Sequence, residues 1–312
     1  MQQRAAMPSS PIPVLLAFVL ALLGAMLFAA VASPWVQILL APLAVVPLHR
    51  LFTRLTMLGV VGIAAWLLRR YRLADRMLLG FVPPPRRFLR RVLVGLAAGL
   101  IIMTIALLPL FLLDVRELNA RAPVEWSDWL ALAAKGLGSG LAVALIEETF
   151  FRGAMQGALQ RMGAGLWAVF AVPVLYAAVH FLGRAASVSY ADVNGLSGFV
   201  VLRGFFADYA QPLAIADAFI ALWCVGVLLA LVRQRWGDLA GCIGLHAGFV
   251  AAITVFRKVS SPGNANDWGF LVGSFDGLLG WWIALLTGSA CLILWRAGLQ
   301  HASRKESGAG KP

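Results

Sequence analysis

The stretch IEETFFRGAMQ, from Ile146 to Gln156, places two carboxylates and one guanidinium between apolar neighbours. The residues GLAVALI lead into it, and GLWAVFAVPVLYAAVHF follows after a short turn. A soluble helix would turn its charges toward water, but this region has no polar face. Charged side chains in such surroundings are costly, so their presence calls for a chemical or a packing reason.

The composition predicts an integral membrane protein. The chain has 312 residues, of which 61% are hydrophobic and 13% are charged, whereas soluble domains have about 25% charged residues. The net charge is +12, but the basic residues cluster at the ends of apolar runs, as the positive-inside rule requires. We therefore expect the positive charge to face the lipid bilayer surface, and we expect no nucleic-acid partner.

The apolar runs predict an all-α fold, a polytopic membrane bundle of about eight transmembrane helices. The runs do not alternate as barrel strands do, and spans of about 20 residues suit a bilayer. The second run is interrupted by prolines and arginines, so it predicts either one broken helix or two short ones. The expected spans are Ile12–Ala32, Trp35–Leu68, Val92–Leu113, Gly138–Leu159, Leu166–Leu182, Leu213–Val232, Leu239–Phe256 and Leu278–Leu294.

The first apolar run resembles a signal peptide, because Ala30-Val31-Ala32 looks like a cleavage site. It is longer than a usual signal-peptide core and another apolar run soon follows, so we expect a retained span. The organisation that we expect is N-terminal helices with a basic loop (1–127), a catalytic core (128–258), a C-terminal helix (259–300) and a disordered basic tail (301–312).

The arginine-rich segment RRYRLADRMLLGFVPPPRRFLRR, residues 69–91, is expected on the cytoplasmic side. Part of it has the pattern of an amphipathic surface helix that ends at the prolines. Both termini then also lie in the cytoplasm, and the loops near Glu117–Lys135 and Gly183–Gln211 lie outside. The expected location is a bacterial inner (cell) membrane.

Within the charged stretch, the spacing separates the two glutamates. Glu148 and Arg152 are four residues apart, so on a helix they share a face and form an ion pair. Glu147 is rotated by about 100° and has no such partner. An apolar surrounding disfavours an unpaired carboxylate, which makes it a stronger base. The pair and the spare acid together form a sensible catalytic unit.

The alternative is an ion pair that only fixes helix packing. Gly153 and Gly157 form a small-xxx-small face directly after it, which fits close helix contact. Packing alone, however, would not need the spare carboxylate of Glu147. A functional role is therefore the favoured interpretation.

Two of the four histidines, His180 and His246, lie within predicted spans. A single buried histidine is more often a packing residue, but two in separate spans beside paired glutamates favour catalysis. An imidazole can share the proton of a water molecule or donate to an oxyanion. Gly244 and Gly248 flank His246 at GxxxG spacing, so its helix can approach its neighbours closely.

These residues resemble the CPBP family, also called the Abi family, of CAAX-processing and bacteriocin-processing intramembrane endopeptidases. The family pattern is EExxxR, FxxxH and HxxxN or a variant, on separate membrane helices of an all-helical fold. Here it corresponds to Glu147-Glu148-xxx-Arg152, Tyr176-xxx-His180 and His246, and it covers roughly Leu130 to Phe256.

The resemblance implies hydrolysis of a peptide bond by an activated water. Glu147 would be the general base, helped by His180. Glu148 and Arg152 would shape the base helix, and His246 would help to stabilise the oxyanion.

Packing roles are implied for Phe151 and for Gly153. The chain departs from the family pattern at two positions. Tyr176 stands where phenylalanine is usual, and Val250 stands where asparagine is frequent, so the oxyanion site loses a donor.

A mechanism that requires no cofactor is favoured, with zinc as the alternative. The chain has no HExxH, but Glu147, His180 and His246 could supply three ligands. The signatures GxSxG and GxGD are also absent, which leaves serine and aspartyl intramembrane chemistry without support. Cys224, Cys242 and Cys291 lie in predicted spans without regular spacing, so they are expected to be packing residues.

The expected function is thus intramembrane hydrolysis of a membrane-associated protein or peptide. One alternative is a catalytically silent immunity or regulatory protein of the same fold, for which Val250 is the best argument. The other is a small-solute transporter, although transporters usually show repeated halves. Charge counting places Glu147 and His180 toward the outer half of the membrane, which suits exported or membrane-anchored peptides better than cytoplasmic prenylated proteins.

The predicted topology can be measured with reporter fusions. A fluorescent protein fused to the C-terminus should fold and fluoresce in the cytoplasm, because the basic segments keep both termini inside. Alkaline phosphatase inserted after Asn194 should be active, because this loop is expected outside. The opposite pattern at either position would contradict the topology.

Overall fold

The computed structural model describes residues 10–41, 46–70, 75–82, 84–120, 122–183, 188–263 and 267–308. Over these ranges the chain is mostly helical, and the predicted all-α membrane bundle is confirmed. The α-helices are α1 (Pro11–Leu40), α2 (Leu48–Arg70), α3 (Arg76–Leu79), α4 (Pro85–Leu107), α5 (Pro109–Leu112), α6 (Trp126–Glu148), α7 (Gln156–Arg161), α8 (Gly165–Val179), α9 (Ser197–Phe205), α10 (Pro212–Trp236), α11 (Ala240–Val259) and α12 (Trp281–Gly308).

Seven of the described helices are long and apolar enough to cross a membrane. They include α6 and α7 as one continuous helix, Trp126–Arg161, of 36 residues. The fifth predicted span, Leu166–Leu182, appears as α8, an apolar helix of 15 residues. In lipid a helix satisfies its backbone hydrogen bonds internally, which is why these apolar runs are helical. The chain is an integral, multi-pass membrane protein.

The first two predicted spans have the wrong boundary. Residues Trp35–Leu40, assigned to the second span, continue α1, which runs through Pro34 without a break. The second helix begins only at Leu48. Two apolar runs that follow one another give no hydropathy signal for the point at which the chain turns. Pro42, expected to interrupt the second span, lies outside the described residues.

Other elements also differ in extent from the prediction. The surface helix expected in the basic segment is a single turn, α3, which Asp75 caps and Gly80 ends in a left-handed conformation (φ 86°). Helix α6 begins at Trp126 rather than Gly138, because hydropathy marks only the apolar part of a helix. Helix α12 continues to Gly308, where a disordered tail was expected from residue 301. Its last turns contain alanine, arginine, lysine and glutamate, which favour helix.

The described strands form one small sheet at the end of the bundle that is away from the arginine-rich segment. β1 (Arg116–Leu118) pairs antiparallel with β2 (Ser260–Pro262). The buried side chain of Arg116 donates from Nη2 to the carbonyl oxygen of Ser260, at 3.1 Å. This contact ties the loop before α6 to the end of α11.

Helix α11 is central because it packs against both α4 and α6. Its Gly244 and Gly248 lie against α4, as their GxxxG spacing predicts. A Cβ atom on Gly244 would lie 2.0 Å from the oxygen of Val92, and one on Gly248 would lie 2.6 Å from that of Leu96. On its other side, Gly140 of α6 approaches the oxygen of Ala247 equally closely. These approaches hold His246 between α4, α6 and the rest of the core.

Two further groups of helices complete the bundle. Helix α10 packs against α8 and α12, and α1 packs against α2 and α9. At the arginine-rich end, α10 stops at Gly237 (φ 73°) and Asp238 accepts the backbone N–H of Ala240 at the start of α11. Asp238 also pairs with Arg91 of α4. The turn between α10 and α11 is thereby fixed to α4.

The close packing of α4 and α11 predicts different outcomes for two glycine substitutions. Gly244→Ala should lower the melting temperature in detergent, because the new methyl group clashes with the α4 backbone. Gly138→Ala should leave it unchanged or raise it, because nothing lies within 4 Å and alanine is the better helix former. Equal effects of the two substitutions would contradict this packing.

Candidate active site

A π-helical segment, Thr149–Met155, directly follows the two glutamates and joins α6 to α7. Its wider turn is visible at Gln156, whose backbone N–H donates to Phe151, five residues earlier. Single π turns inside α-helices are uncommon and frequently occur at functional sites. Five of its residues are buried, so the irregular turn lies in the protein core, next to α3, α8 and α10.

The ion pair predicted from the EExxxR spacing is present. Nη1 of Arg152 lies 3.1 Å from Oε1 of Glu148, and both side chains are fully buried. An ionised group in this position is stable only when its charge is matched and its hydrogen bonds are mostly satisfied.

Arg152 reaches two further helices. Its Nη2 donates to the carbonyl oxygen of Gly226 in α10, at 3.0 Å. Its guanidinium carbon lies 4.4 Å from the ring centroid of Tyr176 in α8, a cation–π distance. Gly226 is required here, since a Cβ atom would lie 2.9 Å from Pro173 and 3.1 Å from Tyr176.

His246 lies between the two glutamates. Its Nδ1 is 2.8 Å from Oε1 of Glu148, and its Nε2 is 4.0 Å from Oε2 of Glu147. Because an ionised carboxylate only accepts hydrogen bonds, Nδ1 carries the proton. Nε2 of His246 therefore faces Glu147.

The His180 ring also turns its Nε2 toward Glu147, from α8 rather than from α11. It caps the C-terminus of α8, and its Nδ1 donates to the carbonyl oxygen of Tyr176, at 2.7 Å. Its Nε2 lies 4.0 Å from Oε2 of Glu147. The backbone oxygen thus fixes the tautomer and the orientation of the His180 ring.

The structure brings together most of the residues selected from the sequence. Oε2 of Glu147 faces Nε2 of both histidines, and it has no hydrogen-bond partner in the part of the chain that the structure describes. Glu147 is 28% exposed and His180 is 27% exposed, whereas Glu148 is fully buried. The side chains of Glu147 and His180 are thus partly exposed, while Oε2 of Glu147 itself is enclosed and Glu148 lies fully buried behind it.

The remaining predicted residues form the walls. Phe151 and Tyr176 are buried with their rings edge to face, and the Tyr176 ring lies 4.6 Å from that of His180. Gly153 lies against Leu79 of α3, which agrees with its expected packing role. Val250 lies one turn after His246, is partly buried and adds no donor.

Sequence reasoning missed Gln156, which is fully buried and donates to the carbonyl oxygen of Ala230, at 3.1 Å. The signal was present, because Gln156 continues the four-residue spacing of Glu148 and Arg152. It also missed the bond between Glu148 and His246, which are 98 residues apart in the chain.

An apolar cavity of about 350 Å³ lies between α4, α6 and α11. Leu100, Leu137 and Val255 are among its lining residues. Leu137 precedes Glu147 by ten residues, which is about 15 Å along a helix. The cavity therefore lies away from the catalytic candidates, toward the end of the bundle that carries the small sheet.

Comparison with known proteins supports the same interpretation. Residues 129–252 match the model of the family described as type II CAAX prenyl endopeptidase Rce1-like. The resemblance to the CAAX-processing family is confirmed. The matched range contains all five catalytic candidates and lies within the expected core of 128–258. No curated protein and no solved structure matches the chain. The match supports a membrane-embedded protease of the CAAX type.

The buried pair can be tested by a double-mutant cycle. Glu148→Gln or Arg152→Gln alone should each cost about 3–5 kcal/mol of unfolding free energy, because each leaves an unmatched buried charge. The double variant should cost less than the sum of the two. Chemical denaturation in detergent measures all three values.

The exposed pair of Arg161 and Asp75, at 3.9 Å, provides the control. Arg161→Gln should change stability by no more than about 1 kcal/mol. Additive effects at Glu148 and Arg152 would show that the two side chains are not coupled.

Proposed function

We propose that this chain is an intramembrane endopeptidase in which Glu147 activates the water that hydrolyses a peptide bond. One observation carries the proposal: Oε2 of Glu147 has no protein hydrogen-bond partner among the described residues and lies 4.0 Å from Nε2 of both histidines. The family match over residues 129–252 supports this class of chemistry.

The spacing of these atoms suits a water molecule. Hydrogen bonds of about 2.8 Å to Glu147 and to an imidazole nitrogen reach across 4.0 Å. Direct hydrogen bonds at 4.0 Å are too long, so Glu147 is free to accept a proton from the water. His180, whose Nε2 accepts a hydrogen bond in the neutral tautomer, orients this water.

The reaction then follows general base catalysis. Glu147 takes a proton from the water as the water oxygen attacks the peptide carbonyl carbon. The carbonyl oxygen becomes an oxyanion, and the proton on Glu147 then passes to the leaving amine as the C–N bond breaks. The products are a carboxylic acid and an amine, which at neutral pH become a carboxylate and an ammonium group, and Glu147 returns to its starting state.

His246 can stabilise the oxyanion only in its protonated form. Its Nδ1 is engaged by Glu148, so Nε2 must carry the donated hydrogen. This arrangement supplies a charged donor although Val250 contributes none.

A zinc mechanism uses the same atoms in a different way. Two imidazole nitrogens and one carboxylate oxygen are suitable ligands, but tetrahedral zinc holds its ligands about 3.3 Å apart. The separations from Glu147 are 4.0 Å. Among the described residues, no group of three histidine, cysteine or acidic side chains is arranged to hold a metal. The set as placed does not fit zinc, and we propose the mechanism without a metal.

The proposed substrate is a membrane-associated peptide or protein. Glu147 and His180 are partly exposed near the end of α8, and aromatic rings such as that of Tyr176 lie beside them. Of the alternatives, a silent regulatory protein would not require the open carboxylate of Glu147. A transporter would usually show repeated halves, and no repeat of fixed length stands out in this sequence. We also propose that the protein resides in a bacterial cell membrane with both termini in the cytoplasm.

The proposed function predicts that Glu147→Gln abolishes cleavage without loss of folding. The amide keeps the shape of the side chain but cannot accept the proton. The measurement is cleavage by purified protein in detergent of a membrane-peptide library that contains prenylated and unprenylated members. Glu125→Gln, which changes an exposed glutamate before α6, should cleave as the native protein does.

A chelator separates the two mechanisms in the same assay. Cleavage that persists with chelator and disappears in Glu147→Gln supports the glutamate mechanism. Loss with chelator, restored by added zinc, would overturn it in favour of a metal. No cleavage by a folded native protein on any library member would favour the silent-protein alternative.

A further inference from the structure

A polar seam extends from the site along α10, away from the open side of Glu147. We define it as the buried side chains of Glu148, Arg152, Gln156, Cys242 and Arg233. Three carbonyl oxygens within one stretch of α10 accept hydrogen bonds from its members. Gly226 accepts from Arg152, Leu229 from Cys242 and Ala230 from Gln156, at 3.0, 3.3 and 3.1 Å respectively.

The seam contains more polar atoms than the protein satisfies. Four of its atoms are enclosed and have no hydrogen-bond partner among the described residues: Oε2 of Glu148, Nε of Arg152, Oε1 of Gln156 and Nε of Arg233. The residues are at most 6% exposed. An unsatisfied buried polar atom destabilises the fold, and buried waters commonly supply the missing partners in such places.

The far end of the seam reaches the arginine-rich segment. Nη2 of Arg233 donates to the carbonyl oxygen of Leu78 in α3, at 3.0 Å. The guanidinium also lies against Gly80, where a Cβ atom would be 2.9 Å away. Asp75, which begins α3, is about half exposed. The seam thus ends within one helical turn of a polar surface.

The spacing along the seam matches single waters. Gly226, Ala230 and Arg233 are four and three residues apart, or about 6 and 4.5 Å along the helix. One water that makes two hydrogen bonds of about 2.8 Å spans about 5.5 Å. Two or three waters therefore suffice to connect Glu148 with Arg233.

We propose that the seam binds a chain of internal waters that connects the back of the glutamate site with the arginine-rich surface. On the basis of the proposed peptidase activity, this chain of waters would supply the water that the reaction consumes. A bound peptide covers the open side at Glu147 and His180, and each cleavage consumes one water. The seam provides a supply from the opposite side, so water need not pass the substrate.

Radiolytic labelling tests the water chain independently of activity. A short X-ray pulse converts bound water into hydroxyl radicals, which oxidise only side chains in contact with it, and sulfur side chains react fastest. Cys242 is fully buried, yet it should be oxidised in the native protein. Met26 and Met103 are equally buried in apolar clusters and should stay unmodified. Mass spectrometry of the digested protein measures all three.

A matched pair of variants locates the water. Gln156→Leu removes two polar atoms from the seam, so oxidation of Cys242 should be lost. Gln37→Leu changes another buried glutamine, in α1, and should leave it intact. The proposal would be overturned if Cys242 in the native protein were as unreactive as Met26 and Met103. It would also be overturned if Gln156→Leu did not reduce the oxidation of Cys242.

Failure of the proposed peptidase function can be distinguished from failure of the water-chain proposal. The Glu147→Gln variant should still show oxidation of Cys242, because the seam does not involve this carboxylate. If the native protein cleaves no peptide but Cys242 is oxidised, the water chain is supported and only its proposed role in supplying the reaction is lost.

Discussion

The buried contact between Glu148 and Arg152 is the interaction on which the rest of the site depends. Arg152 bonds to Glu148 within its own helix, to Gly226 of α10, and lies over the ring of Tyr176 in α8. Glu148 in turn holds His246 of α11. One ion pair therefore fixes the relative positions of four helices. Removing two charges from water costs several kcal/mol per ion, and these contacts offset that cost only when all are made together.

This arrangement gives two adjacent glutamates different chemistry. Glu148 is fully buried and is engaged by a cation and an imidazole, so it acts as a structural anion. Glu147 points about 100° away, into a space that both Nε2 atoms face. Its charge is not neutralised by a direct bond. The ion pair thus positions a base without consuming it, and the π turn that follows allows the helix to present both side chains within the core.

Much of this was predictable from local sequence. The four-residue spacing predicted the pair of Glu148 and Arg152, and GxxxG spacing predicted the close approach of the helix that carries His246. The boundary between α1 and α2 was not predictable, because hydropathy is continuous across Trp35–Leu40. The role of Gln156 was missed, although it continues the four-residue spacing of Glu148 and Arg152. Its contact with Ala230 depends on how α7 lies against α10.

By itself, the sequence determined that the chain spans a membrane as helices and that one helix carries a paired and an unpaired carboxylate. These properties follow from composition and from spacing within one turn, which act over a few residues. Only the tertiary structure decided that His180 and His246 face Glu147 with their Nε2 atoms, and that buried polar atoms continue behind the site to Arg233. These contacts join residues far apart in the chain, and their geometry depends on glycine-mediated helix approach that no local pattern specifies.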